Sequence, residues 1–133
     1  MPETDYLEQI KMADHNEFGI EAEVRAAKFL EEKNYKILKR NWRYLKAEID
    51  IIAEDLNQNQ IVIVEVKARK KNPLVEPEIA VKKTKRKLLI MAADAFLSEN
   101  EIDLETRFDI MSLYKSKSGW EIHHMENAFF AYE

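Results

Sequence analysis

Apolar side chains recur at helical spacing in two stretches of the chain and at strand spacing in five. Ala26, Ala27 and Leu30 form one stripe with Glu21, Arg25 and Lys28 opposite, which predicts a helix from about Asn16 to Lys33. Asp14 or Asn16 is available as its N-cap, Glu17 falls in its first turn and Asn34 can close it. Glu23 precedes the stripe positions by three, four and seven residues, so an acid lies on the inner face. Residues 35–42, 47–54 and 61–69 read as three strands, with the polar DLNQNQ as a hairpin loop between the second and third; this is an antiparallel meander.

Pro73 and Pro77 break the chain after it. A second helix from about Glu78 to Leu97 carries Val81, Leu88, Leu89, Ala92 and Phe96 on its apolar face. After the loop SENEIDLE, residues 106–114 and 120–125 read as two more strands, joined by a turn at Lys117 to Gly119. The order helix, three strands, helix, two strands predicts an α/β fold whose second helix crosses over to a strand lying beside the earlier ones.

Composition adds bounds to this pattern. A chain of 133 residues buries roughly two thirds of its unfolded surface as one domain. That domain is expected over 13–133, with 1–12 as a tail or short helix, because only Tyr6, Leu7 and Ile10 interrupt the polar start. The absence of cysteine excludes disulfides and thiolate metal sites and suits a reducing compartment, the cytoplasm. The acidic start does not resemble a signal peptide, and no window approaches the length of a membrane span.

A net charge of -4 argues against a protein that coats nucleic acid. Its distribution is uneven, however, with bases concentrated at 36–46, 67–71 and 82–87. A phosphate backbone could meet that basic face.

The third strand holds the strongest chemical signal. Ile61 to Val64 leave no polar side, as in a strand buried on both faces, yet Glu65 and Lys67 follow at alternate positions and point the same way. On the second strand Glu48, Asp50 and Ile52 share one face, and Ala47, Ile49, Ile51 and Ala53 the other. Hairpin pairing then stands Asp50 beside Glu65. Two close carboxylates repel unless a cation joins them, and a hard divalent ion such as Mg²⁺ takes oxygen ligands and keeps several waters. The backbone carbonyl of Val66 is near enough to be a third ligand. Lys67 could orient or deprotonate a metal-bound water, or stabilise charge on a phosphate. The plainer alternative is a structural Glu65–Lys67 ion pair; the isoleucines flanking Asp50 and the inner position of Glu23 count against it, since buried charges are costly unless paired.

The blocks HNEFG…E (15–23), RNWRYLKAEIDIIA (40–53), IVIVEVKAR (61–69), AVKKTKRKLL (80–89) and RFDIMSL (107–113) together resemble the YraN-type family of uncharacterised bacterial proteins. That family looks like a branch of the PD-(D/E)xK nuclease superfamily, close in outline to archaeal Holliday junction resolvases. The resemblance implies a restriction endonuclease-like mixed sheet of about five strands flanked by helices. It also implies Mg²⁺- or Mn²⁺-dependent hydrolysis of DNA phosphodiesters, at branched substrates whose symmetry would suit a homodimer.

On this view Asp50 matches the metal-binding aspartate, Glu65 and Lys67 the (D/E)xK pair, Glu23 the acid of the first helix and Glu48 the acid just before the aspartate. Lys85 falls where the second helix carries a lysine. Arg69, Lys82, Lys83, Lys85 and Arg86, with Arg40 and Arg43, are the expected phosphate contacts. Relatives often have glycine where this chain has Ala22 and Ala47, and each alanine restricts the backbone. The alternative from another class is a nucleic-acid-binding or protein-interaction module that keeps the fold and cuts nothing.

Other chemistry is poorly supported. His15, His123 and His124 do not make a zinc site, the last two pointing to opposite faces of a strand. There is no Gly-rich phosphate loop. Trp42, Tyr44 and Trp120 could stack on bases, although aromatic residues near strand ends more often belong to the core.

Overall fold

The computed structural model describes residues 3–70 and 81–131, with side chains from Glu17 onward. Its elements are α1 (Glu3–Glu32), β1 (Tyr35–Tyr44), β2 (Ala47–Asp55), β3 (Gln60–Lys70), α2 (Lys83–Glu99), β4 (Thr106–Ser116) and β5 (Gly119–Phe129). The five strands form one mixed sheet in the order β1-β2-β3-β4-β5. Neighbours pair antiparallel except β3 and β4, which are parallel. A parallel pair needs a crossover, and α2 lies within it. This is the α/β arrangement expected, with a helix on each face of the sheet.

The two faces have separate cores. Under α1, Ala22, Ala26, Ala27 and Leu30 pack on Ile51, Ala53, Val62, Val64, Met111 and Leu113. Under α2, Leu89, Ala92, Ala93 and Phe96 pack on Ala47, Ile49, Ile52, Ile61, Ile63 and Ile110. Ile61 to Val64 thus divide between both cores, as a strand apolar on both faces must. Burying each such side chain contributes about 1.5–3 kcal/mol. Trp42, stacked on Tyr44 and edge-on to Phe96, joins the α2 core.

Several boundaries differ from the pattern-based reading. The first helix starts at Glu3, so Asp14 and Asn16 lie inside it and do not cap it, and most of 1–12 continues into the same helix. Its end is as expected: Asn34 adopts φ 69°, the left-handed residue that closes a helix, and its carbonyl accepts Leu56 N–H. The break at Pro73 and Pro77 and the expected start at Glu78 lie outside the described residues; α2 begins at Lys83. Among the described residues no helix is long and apolar enough to cross a membrane.

Under α1, at the end of the sheet where β2 finishes and β4 begins, Arg107 is buried, its side chain 1% exposed. All five of its N–H groups can be accounted for. Nε and Nη2 form a fork on Asp109 at 2.9 Å each, Nη1 reaches Asp55 at 3.0 Å and Gln60 at 3.1 Å, and Nη2 also donates to Tyr35 Oη at 2.6 Å. Asp109 further receives Asn127 N–H and contacts His124 Nε2 at 2.7 Å. Burial alone would raise Asp55, but Arg107 and the N–H groups of Gln58 and Asn57 hold it below the usual carboxylate value.

Replacing one partner of such a network strands the others as unpaired buried charges, at about 3–5 kcal/mol. Arg107→Leu is therefore expected to lose that much stability in urea unfolding. Arg43→Ala, which removes an ion pair whose members are 77% and 40% exposed, should lose under about 1 kcal/mol. Equal effects of the two substitutions would contradict this account.

Candidate functional site

At the opposite end of β2 the sheet opens. Pairing between β2 and β3 runs from Asp55↔Gln60 to Ile51↔Val64 and stops there, while β1 follows β2 to Tyr44↔Ala47 and β4 follows β3 to Lys70↔Lys115. From Glu65 onward β3 therefore has a neighbour on one side only. The side-chain alternation of β2 breaks at the same place. Ile49 belongs to the α2 core and Ile51 to the α1 core, whereas strict alternation would put both on one face. The grouping of Ala47 and Ile49 with Ile51 and Ala53 is corrected accordingly.

Asp50 sits at this break. Its Oδ2 accepts Val66 N–H at 2.8 Å, so a carboxylate takes a donor that the interrupted ladder no longer uses. Residues of a strand direct N–H and C=O toward the same neighbour, and the Val66 carbonyl faces the same gap. Glu65 is buried beside it. Glu65 Oε1 receives Lys85 Nζ from α2 at 2.9 Å, while Oε2 is buried with no hydrogen-bond partner.

Burial is the main cause that pushes the Asp50 carboxyl up to about 8. Repulsion from Glu65 and the side-chain hydrogen bond that a protonated Asp50 can donate to it come next, the Val66 N–H opposes them, and Glu23 adds a smaller upward push. Lys67 shifts downward, chiefly through burial, with Lys85 and Arg69 adding to the effect and Glu65 opposing it. A cavity of about 410 Å³ beside Asp50 is bordered by Lys46, Glu48, Thr84, Lys85 and Leu88.

The other expected site residues are arranged around this gap. Glu23 is close enough to act on Asp50 but has Arg40 Nη2 at 4.0 Å. Glu48 pairs with Arg43 at 3.2 Å on the exposed edge. Among the described residues no group of three or more His, Asp or Glu side chains is placed to hold a metal ion. The structure thus brings Asp50, Glu65, Lys67 and Lys85 together, with Glu48 bordering the same cavity and Glu23 within electrostatic reach of Asp50, each of these two also paired with an arginine of β1. Lys82 is the N-cap residue of α2, and Lys82, Lys83 and Lys85 are exposed, with Arg86 half-buried. His123 contacts Glu121 and His124 contacts Asp109, so the two point apart.

Two contacts were missed from sequence. The Asp50 bond to Val66 N–H has no sequence signal, because it needs the pairing to end. The Glu65–Lys85 pair had one: Lys85 lies four residues after Val81 and three before Leu88, leaning toward the apolar stripe.

Asp50 provides a direct check. A carboxyl raised above its ordinary value near 4 favours folding only while protonated. That contribution is fully present below about pH 4 and is lost as pH rises through about 8. Wild-type protein without divalent cations should therefore lose stability between pH 5 and 9, and Asp50→Asn should follow a flatter curve. At pH 9 the variant should be the more stable by at least about 1.4 kcal/mol, the equivalent of one pKa unit. Parallel curves in urea unfolding would contradict the assignment.

Comparison with known proteins places the chain in a family. Residues 22–113 match the uncharacterised protein family UPF0102. A UPF0102 protein of Flavobacterium psychrophilum is 44% identical over 119 residues, covering 90% of this chain and 98% of the relative. One from Phocaeicola vulgatus is also 44% identical, over 90% and 97%. Among solved structures, Pyrococcus furiosus SfsA in complex with Ca²⁺ is 16% identical with a TM-score of 0.33; the match covers 77% of this chain and 58% of that one, too distant to carry an argument. Nearly end-to-end identity of this level shows that the protein belongs to the UPF0102 family, the YraN-type family its sequence blocks resemble.

Proposed function

We propose that the protein is a metal-dependent endonuclease acting on DNA phosphodiesters, with branched DNA as the preferred substrate. One observation carries this reading: two carboxyls face each other across an interrupted sheet, and Glu65 Oε2 is buried without a partner. Buried polar atoms are nearly always satisfied. A donor set of two carboxylates, with the Val66 carbonyl directed at the same gap, suits Mg²⁺ or Mn²⁺, which need few protein ligands and fill the rest with water and substrate phosphate. Such an ion would supply Lewis acidity toward the phosphate and a more acidic bound water.

The chain's own groups then divide the work. Asp50 is fixed by Val66 N–H, and Glu65 by its place on β3, so neither has to be ordered when substrate arrives. Lys67, shifted downward by burial, is suited to orient or deprotonate the attacking water, or to stabilise charge on the phosphate. The basic start of α2, with no acid in its first turn, offers Lys82, Lys83, Lys85 and Arg86 to flanking phosphates beside a helix N-terminus. Arg69, Arg40 and Arg43 extend the basic surface along β3 and β1. A four-way junction would engage two copies.

The test is incubation with linear, single-stranded and four-way-junction DNA in Mg²⁺ or Mn²⁺. Cleavage of the junction is expected, abolished in Asp50→Ala and reduced about 10²–10³-fold in Lys67→Ala. Binding without cleavage under every condition would contradict the proposal and favour a module that binds DNA without cutting it. Cleavage that survives in Asp50→Ala would show that it arises elsewhere.

A further inference from the structure

The ion pair between Glu65 and Lys85 joins a fixed group to a movable one. Glu65 stands on β3 within the parallel ladder to β4, opposite Ile110, and its side chain is 6% exposed. The Lys85 side chain is 52% exposed and hangs from the start of α2 on four rotatable carbons. Only Lys85 can leave without moving the sheet. It also belongs to a run of bases with no acid in the first turn of the helix to hold it elsewhere. The site therefore has a built-in neutralising charge on one of the two carboxylates, and that charge has a route into solvent where phosphates would lie.

We propose that Lys85 is an exchangeable counter-ion. It occupies Glu65 while the carboxylate pair lacks a divalent cation, and it is released as a phosphate contact when a cation takes that pair. The inference rests on the metal-binding reading of Asp50 and Glu65 given above, and adds that one side chain couples cation binding to DNA binding. A lysine and a divalent ion cannot share Glu65 Oε1 without strong repulsion, so each weakens the other's hold. Once free, the ammonium adds one cation to the phosphate-facing surface. Because the coupling is thermodynamic, it is reciprocal: DNA that captures Lys85 must in turn tighten cation binding.

Two measurements on the whole protein test this. The first titrates Ca²⁺ and Mn²⁺ into protein without DNA, by calorimetry. Lys85→Met, which removes the competitor, should bind each ion about tenfold more tightly than wild type. It should melt below wild type without metal, because Glu65 loses the ammonium hydrogen-bonded to it, and the gap should close in saturating Ca²⁺. Lys85→Arg, which keeps the charge, should behave like wild type. The second measures junction-DNA affinity against salt, with and without Ca²⁺. Loss of one phosphate contact lowers the slope of log K against log salt by about 0.9. Ca²⁺ should therefore steepen the wild-type slope by about 0.9 more than it steepens that of Lys85→Met, whereas Lys83→Ala should lower the slope equally in both conditions.

Unchanged or weaker metal affinity in Lys85→Met, or the same Ca²⁺-induced steepening in wild type and Lys85→Met, overturns the exchange and leaves the nuclease reading intact. Absence of cation binding in wild type overturns both.

Discussion

Charges on strands buried from both faces must be neutralised where they stand, and the protein meets this requirement differently at the two ends of its sheet. At one end Arg107 uses all its N–H groups on Asp55, Asp109, Tyr35 and Gln60. Every charge there has its partner within the chain, and the cluster ties β1, β2 and β4 together beneath α1. At the other end Glu65 is paired with Lys85, itself half in solvent, and Lys67 lies close enough to feel the same carboxylate. The first cluster is satisfied and has little to offer a ligand. The second keeps two carboxyls close together, with one of them raised by burial and by the other, and on the reading proposed above it is where a divalent cation would add stability that the fold alone lacks.

The backbone explains why the two ends differ. β3 is paired on both sides through Val64 and on one side beyond it, so its apolar half is rigid and its charged half opens onto a gap. Asp50 closes part of that gap by accepting Val66 N–H, which fixes the carboxylate without neutralising it. The parallel crossover to β4 brings the basic start of α2 over the same gap, because a helix that connects parallel strands must lie across the sheet face. Site and scaffold are thus one arrangement.

Much of this was legible in the chain. The run Ile61 to Val64 announced a strand apolar on both faces, and alternation gave Glu65 and Lys67 after it a shared direction. The stripe at Ala26, Ala27 and Leu30 placed α1, and the polar loop before Gln60 placed the hairpin. What escaped depends on contacts distant in sequence. Ala47 and Ile49 were assigned the face of Ile51 and Ala53 by counting twos along β2, and counting fails where pairing stops. Glu23 and Glu48 were grouped with the other acids by position, and what that grouping could not show is that each also pairs with an arginine of β1, Arg40 and Arg43. Arg107 and Asp109 carry the same signature as Glu65 and Lys67, charges at alternate positions on a core strand. They were read only as part of a family block, and their partners Tyr35, Asp55 and Gln60 lie about fifty or more residues away. The length of α1 was hidden by its polar first half, which the apolar stripe does not reach.

The central claim is that Asp50 and Glu65 form one cation site. Anomalous diffraction from crystals soaked in Mn²⁺ locates the ion without reference to activity. A peak between the two carboxylates, within about 2–2.5 Å of an oxygen of each and absent in Glu65→Gln, is the expected result. Mn²⁺ bound only elsewhere, or at the same place with Glu65 replaced, would contradict the account.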